Sequence, residues 1–365
     1  MRPQNEAELA QILVEAQLPV EIIGGGTRAI GDVVAGATPL YTDGFSGIEL
    51  YEPGALTLVA GAGSLLSDIN DQLAVEKQRL PFEAPDYAAV LGREGRSTLG
   101  GVVACNAAGP RRVQAGACRD SMIGVRFVDG AGTIVKNGGR VMKNVTGLDL
   151  VKLMAGSHGT LGVLTQVAFK LLPVPEASRT LFFDGQDPAT AVSLMAAALG
   201  SPYEVTAASF RPQSGTVLRV EGFDAAVKYR ASALAKHLKF YGQAQISENT
   251  LSVWADIRDL KPFVGQTGDL WRVSVKPSDA AGILAKAAPL DYMLDWGGGL
   301  LWLLLPENTD LRLLLGTFEG HATLFRGKGG GAPSFQPQSP AIITLTQGLR
   351  AKFDPKAILN KGRMG

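Results

Sequence analysis

The chain has 365 residues, 46% of them hydrophobic and 19% charged, so it can bury sizeable cores and is not disordered. A net charge of +1 argues against an electrostatic nucleic-acid or membrane-surface binder. The two cysteines, Cys105 and Cys118, are too few for an iron–sulfur cluster or a four-thiolate zinc site, and the three histidines, His158, His237 and His321, lack metal-ligand spacing, so no metal is expected. The cysteines could form one disulfide; two reduced thiols in a cytoplasmic protein is the preferred reading. No apolar run approaches the ~18 residues of a membrane span, and no signal-peptide pattern opens the sequence.

Asn5 and Glu8 form a capping-box pattern ahead of a helix with Leu9, Ile12, Leu13 and Ala16 on one face. Pro19 ends it, and Val20 to Ile23 reads as a short strand. Leu56 to Ala60 is a second strand, after which Ser64 and Asp68 open a helix. Val125 to Asp129 and Thr133 to Lys136 read as strands around Gly130-Ala131-Gly132. Leu161 to Leu172 is another strand, and Pro173 and Pro175 mark a linker. Beyond it come a helix over Pro188 to Leu199, a strand over Val217 to Val220, and a helix over Ala225 to Leu238 whose face carries Ala226, Tyr229, Ala233 and His237. Trp271 to Val275 and Leu300 to Leu305 read as strands. Ile342 to Phe353 reads as strand turning into helix. The mixture is that of α+β layers.

Glycine is unevenly spread: 25 of the 45 fall within residues 24–162 and only 8 within 163–296. Glycine is required where φ is positive or where backbone closely approaches a ligand. The first stretch is therefore the candidate cofactor domain. Gly24-Gly25-Gly26-Thr27-Arg28-Ala29 fits a GxGxx[G/A] fingerprint after a strand. The helix that a dinucleotide fold needs next is interrupted by Gly31, Gly36 and Pro39, which excludes that fold. The run reads either as a plain glycine turn or as an anion nest for a diphosphate, with Arg28 beside it. The small-residue stretch Thr98 to Gly109 reads either as close packing of two elements or as backbone on which a flat ring or phosphate can lie.

The segments Ile22 to Arg28, Leu56 to Gly63, Thr98 to Gly109, Arg119-Asp120, Thr146 to Asp149 and Gly156 to Thr165 follow one another as in the FAD-binding domain of vanillyl-alcohol oxidase-like flavoproteins. Phe353-Asp354-Pro355 to Asn360-Lys361-Gly362-Arg363-Met364 resembles the way lactate and glycolate members of that family end. Within the family, Gly109-Pro110-Arg111-Arg112, Gly268 to Ser274, Asp295-Trp296-Gly297-Gly298 and Gly320 to Thr323 resemble the FAD-binding E subunits of glycolate oxidases. The histidine cluster near the end of the catalytic D subunits has no counterpart here, and Lys361 stands where the last motif usually has proline.

The resemblance implies an α+β fold: a two-subdomain PCMH-type FAD-binding domain over 1–173, a smaller α+β cap domain over 174–331, and a segment over 332–365 returning to the FAD domain. It implies FAD contacts from Gly24, Gly25, Gly26, Thr27, Arg28, Pro85, Thr98, Gly100, Gly101, Ala104, Ala107, Gly109, Gly162, Val163, Leu164, Asn360 and Arg363. No histidine or cysteine occupies the first loop, where some relatives attach the flavin, so FAD is expected to be non-covalent. Oxidation of a small 2-hydroxy acid such as glycolate needs a cation for the carboxylate and a base for the hydroxyl. Arg272 and His321 are the candidates, each of which also reads as an ordinary structural residue. The implied partners are a catalytic flavin subunit and an iron–sulfur subunit, in a cytoplasmic complex that could be peripheral to the membrane. A self-sufficient D-lactate-type dehydrogenase and a non-redox scaffold are the alternatives.

Overall fold

Helix Glu6–Glu15 begins where expected: Asn5 Oδ1 accepts the Glu8 N–H at 2.9 Å, while the Glu8 carboxylate accepts from Gln4 N at 2.8 Å, one residue before the cap. Leu9 and Leu13 are its buried positions. This helix opens a computed structural model that describes residues 1–139 and 147–365; Lys143 to Thr146 of the motif region therefore lie outside the described residues. The chain divides into two compact units. The first holds Met1–Ala108, Gly116–Val174 and Pro337–Gly365, and the second holds Gly109–Ala115 and Pro175–Gln336.

In the first unit, β1 (Val20–Ile23) pairs in parallel with β2 (Thr38–Tyr41). Five further strands, β3 (Ile48–Glu52), β4 (Thr57–Gly61), β6 (Met122–Val128), β7 (Ile134–Gly138) and β8 (Val163–Lys170), form an antiparallel sheet in the order β3-β4-β8-β6-β7. The short strands β5 (Gln78–Arg79) and β9 (Leu172–Pro173) pair separately. Helices Leu66–Val75 and Leu99–Ala104 contribute Leu66, Ile69, Leu73, Leu99, Val102 and Val103 to a core that also holds Phe127 and Phe169. A second core joins Leu9, Leu13, Val20 and Leu40 to Ile358 and Leu359, residues more than three hundred positions apart. There the tail runs beside β1: Val20 N donates to Ile358 O at 2.8 Å, and Asn360 N donates to Val20 O at 2.9 Å.

The second unit is built on one antiparallel sheet of eight strands. These are β10 (Ala177–Phe183), β11 (Val205–Arg211), β12 (Gly215–Gly222), β13 (Gln245–Ser247), β14 (Asp269–Val275), β15 (Asp291–Asp295), β16 (Leu300–Leu305) and β17 (Gly320–Arg326), in the order β13-β10-β12-β11-β15-β16-β14-β17. Helices Pro188–Leu199, Asp224–His237 and Ala280–Ala287 place Leu194, Leu234 and Ile283 in one core with Leu218, Trp271, Leu301 and Leu303 from the sheet. Asp187 caps the first of these helices by accepting from Ala189 N and Thr190 N, with Pro188 pre-set at its first turn.

Two expectations are corrected. Helix Asp224–His237 buries Val227, Ala231 and Leu234, so its core face is not the one carrying Ala226, Tyr229 and His237; Tyr229 is 70% exposed and His237 meets the Tyr203 ring edge-on. Small and half-polar side chains marked both faces alike, and the larger aliphatic residues decided which one packs. Pro340–Phe353 is helical throughout, with no initial strand. The β-branched run Ile342-Ile343-Thr344 suggested extended backbone, but Pro340 fixes a helical φ at the first turn.

Candidate flavin-binding cleft

The glycine run leaves β1 and presses against the chain that leads into helix Leu99–Ala104. A Cβ on Gly24 would lie 2.5 Å from Thr98 Oγ1, and one on Gly25 would lie 1.6 Å from the Arg96 carbonyl oxygen. Close packing of backbone on backbone is thus one reason for the glycines. The other is the cleft they line, a cavity of about 270 Å³ open to solvent on one side. Thr98 caps the short helix by accepting from Gly101 N at 3.3 Å, while Leu99 N and Gly100 N donate to Ser64 O and Ala62 O, so the helix start is fixed against the chain after β4.

Gly24, Gly25, Gly26, Thr27, Arg28, Thr98, Gly100, Gly101, Ala104, Gly162, Leu164, Asn360 and Arg363 all line this one cleft. Pro85 stands behind it, where its carbonyl accepts from Arg28 Nη2. Ala107 and Val163 are buried in the two cores and lie outside the lining, because their main chain is taken up by the helix end and by β8. Gly109 belongs to the second unit, where its carbonyl accepts from Trp296 Nε1 at 3.0 Å. The lining also includes Glu21, Thr42, Arg93, Cys105 and His158, to which sequence reasoning gave no cofactor role. Arg93 carries a usable signal, since it sits in a Gly-Arg-Glu-Gly-Arg stretch just before Thr98.

Arg28 is 8% exposed, and among the described residues its Nε and Nη1 have no hydrogen-bond partner. Its Nη2 is held by Pro85, and its guanidinium lies 5.4 Å from the Tyr87 ring centroid. Arg363 is equally buried; it is paired with Glu21 at 2.5 Å, and its Nε is also without a partner among the described residues. A buried guanidinium with unmet N–H groups is costly unless an anion meets them. A glycine-lined cleft with two such arginines is therefore suited to a diphosphate.

Asn360 closes the cleft. Its Oδ1 accepts from Ile22 N at 2.8 Å, and its Nδ2 donates to His158 O at 2.7 Å. His158 adopts a left-handed φ of 49°, and its Nδ1 lies 3.9 Å from Cys105 Sγ. Burial, reinforced by the Arg363 charge, pushes the His158 imidazole down to about 4, and burial pushes the Cys105 thiol up. Both side chains are neutral at neutral pH, which leaves the positive charge of the cleft to its arginines.

This gives a pH prediction. The folded chain resists a proton that the unfolded chain accepts below about 6.5. The contribution of His158 to stability is intact above that pH and is lost as pH falls toward 4. With screening by cleft water, the loss is of order 1–3 kcal/mol. Urea unfolding at pH 7 and pH 4.5 should record it. His158→Asn, which tolerates the left-handed φ and does not titrate, should lack that component of the slope.

Arg272 and His321 lie in the second unit. β14 pairs with β17 so that Arg272 faces Thr323 and Ser274 faces His321, which puts both candidates on one face of adjacent strands. Burial, then the charges of Arg272 and Arg312, hold the His321 imidazole below its ordinary value, as a base requires. Arg326, its neighbour in sequence, is committed to the carbonyls of Phe263 and Gln266 at 2.9 and 2.7 Å.

A family model described as an FAD binding domain matches residues 1–138. The solved structure of alkyldihydroxyacetonephosphate synthase superposes with a TM-score of 0.70, covering 99% of this chain and 76% of that one at 16% identity. The fold is that of the PCMH-type FAD-binding oxidases, an α+β FAD-dependent oxidoreductase architecture, and the cofactor is FAD. Glycolate oxidase subunit GlcE of Escherichia coli (strain K12) is 35% identical over 99% of this chain and 98% of its own length, and the chain belongs to that family. Glycolate oxidase subunit GlcD of Bacillus subtilis (strain 168) is 34% identical over 49% of this chain and 38% of its own. The D-lactate dehydrogenase of Archaeoglobus fulgidus is 31% identical over 47% of this chain and 38% of its own. No helix among the described residues is long and apolar enough to cross a membrane.

Proposed function

We propose that the chain is the FAD-binding subunit of a complex that oxidises glycolate to glyoxylate and passes the electrons to an iron–sulfur subunit. A catalytic flavin subunit is its other partner, and the complex is cytoplasmic or peripheral at the membrane. The carrying observation is the end-to-end likeness to glycolate oxidase subunit GlcE of E. coli, in a chain whose cleft holds buried arginines suited to a diphosphate. Two cysteines cannot ligate clusters, so the one-electron carriers must sit on another chain.

In this reading residues 1–173 are the FAD domain, 174–331 the cap, and 332–365 the segment that completes the FAD domain. Gly24 to Thr27 offer backbone N–H groups to one phosphate, Arg28 neutralises the diphosphate, and Gly100 and Gly101 let the cofactor lie against main chain. Gly162 and Leu164 meet the adenosine end, and Asn360 stands near the flavin ring. Bound there, FAD supplies the two-electron acceptor for converting a 2-hydroxy acid to the 2-oxo acid. Arg272 holds the carboxylate by its planar fork, and His321, neutral at working pH, takes the hydroxyl proton.

The test is the purified chain with and without its partner subunits. The expected protein is yellow, is not bleached by glycolate alone, and is bleached once the partners are added; acid precipitation leaves a white pellet and a yellow supernatant. Bleaching by glycolate or D-lactate without partners would instead make the chain a self-sufficient 2-hydroxy acid dehydrogenase. A colourless chain that still assembles would make it a scaffold. A yellow pellet would overturn non-covalent attachment.

A further inference from the structure

Residues 85–97 form a strap on the glycine loop, held to it backbone against backbone. A Cβ on Gly95 would lie 2.0 Å from the Gly25 carbonyl oxygen, and Gly95 has a φ of +126°, which only glycine adopts readily. Thr27 Oγ1 and Ser97 Oγ lie 3.5 Å apart. At the other end of the strap, Pro85 O accepts from Arg28 Nη2, and the buried Tyr87 ring lies against the Arg28 guanidinium. Between these anchors the chain turns tightly. Leu91 N donates to Tyr87 O at 3.0 Å, Gly92 N to Ala89 O at 3.1 Å and Arg93 N to Ala88 O at 2.8 Å. The backbone of Arg93 is therefore fixed relative to both the glycine loop and Arg28.

The strap carries two arginines in different settings. Arg96 Nη2 donates to Ser67 Oγ and Asp68 Oδ1, both at 2.9 Å, and Arg96 is outside the cleft lining. Arg93 is exposed and lines the cleft, and among the described residues its side chain has no hydrogen bond or ion pair. Its neighbour Glu94 is not part of the lining. The charged side chains of the lining are Glu21, Arg28, Arg93 and Arg363, because His158 and Cys105 are neutral. Glu21 is taken up by Arg363. Three arginines against one glutamate leave two positive charges, which match the two negative charges of a diphosphate. Without Arg93 the match fails by one. The two uncompensated cations also differ in burial. An anion that leaves buried Arg28 strands its N–H groups again, so Arg28 governs release. An exposed rim charge such as Arg93 governs arrival instead, and salt screens it.

We propose that Arg93 is the entry cation of this cleft: it draws in the diphosphate of FAD and supplies the second of the two charges that neutralise it, while Arg28 retains it. This rests on the reading of the cleft as the FAD site and adds to it a division of labour between two arginines. The recognised group is the diphosphate. ADP, which carries that group without a flavin, is drawn in by the same charge, whereas riboflavin, which carries no phosphate, is not.

The experiment is stopped-flow mixing of the full apo chain with FAD, followed by flavin fluorescence at low and at high salt. Arg93→Gln should slow association about 3- to 10-fold at low salt, and the difference should vanish at high salt. Release of FAD should change less than about 3-fold, because a rim charge acts mainly on arrival. Arg93→Lys should recover the association rate, since steering needs a charge and not a planar fork. Arg96→Gln removes a charge from the same strap outside the lining and should slow association less than about 2-fold. Arg28→Met should instead speed release. ADP should compete with FAD less well in Arg93→Gln at low salt, and riboflavin binding should not change. Association as fast in Arg93→Gln as in the unaltered chain at low salt would overturn the proposal. So would a slowing that persists at high salt, an equal slowing in Arg96→Gln, or an equal effect on riboflavin. If Arg28→Met speeds release while Arg93→Gln alters nothing, the cleft stands as the FAD site and only this proposal falls. If neither variant alters FAD binding, the reading of the cleft falls with it.

Discussion

Gly25→Ala should yield a folded, colourless protein. The added methyl would be placed 1.6 Å from the Arg96 carbonyl oxygen, and that atom is backbone, so no side-chain rotation relieves the clash. Either the Gly24–Thr27 loop or the chain before Thr98 must move by more than an ångström. The loop lines the cleft and the chain before Thr98 leads into the helix that lines it too, so either movement reshapes the cleft. We expect FAD affinity to fall at least 100-fold, with a local cost of about 3 kcal/mol from overpacking. The measurement is flavin absorbance of protein purified in excess FAD, read beside the far-ultraviolet circular dichroism. Gly54→Ala is the control, because open space surrounds a Cβ there. It should stay yellow. A yellow Gly25→Ala protein with unaltered affinity would mean that the loop does not contact the cofactor.

Arg28→Met separates a binding role from a structural one, because it should move the two forms of the protein in opposite senses. Without FAD, the arginine is a buried charge with two nitrogens unmet among the described residues, so replacing it with an apolar chain of similar length should leave the apo protein as stable or more so. With FAD, the same change removes a charge-assisted contact to the diphosphate, and affinity should fall about 100-fold, roughly 3 kcal/mol. The signature is a collapse of the FAD-induced rise in melting temperature with an apo melting temperature that does not drop. An apo protein that melts much lower would assign Arg28 to holding Pro85 and Tyr87 in place instead.

The helices and strands with regular periodicity were legible in the sequence. Pro188–Leu199 and Leu300–Leu305 begin and end where their residues imply, because a capping Asp187, Pro188 and a continuous apolar run act locally. The cleft was legible as well, since glycine runs report backbone demands directly. What could not be read depends on distant partners. Nothing near Arg111 or Arg112 says that Gly109–Ala115 leaves the first unit for the second; that follows from Glu221 and Trp296, far along the chain. Nothing around Val163 tells its buried side chain from that of its neighbour Leu164, which reaches the cleft.

The pairing of the tail with β1 has a consequence for biosynthesis. Val20 and Ile22 are made early, yet their partners Ile358, Leu359 and Asn360 follow the whole of the second unit. While the ribosome is still building that unit, the cleft has its glycine loop but lacks Asn360 and Arg363, and the edge of β1 is open. If this cleft holds the cofactor as proposed, capture then waits for the last stage of synthesis. A chain truncated before residue 358 should therefore leave the cleft without its Asn360 and Arg363 wall, however well the rest of it has folded.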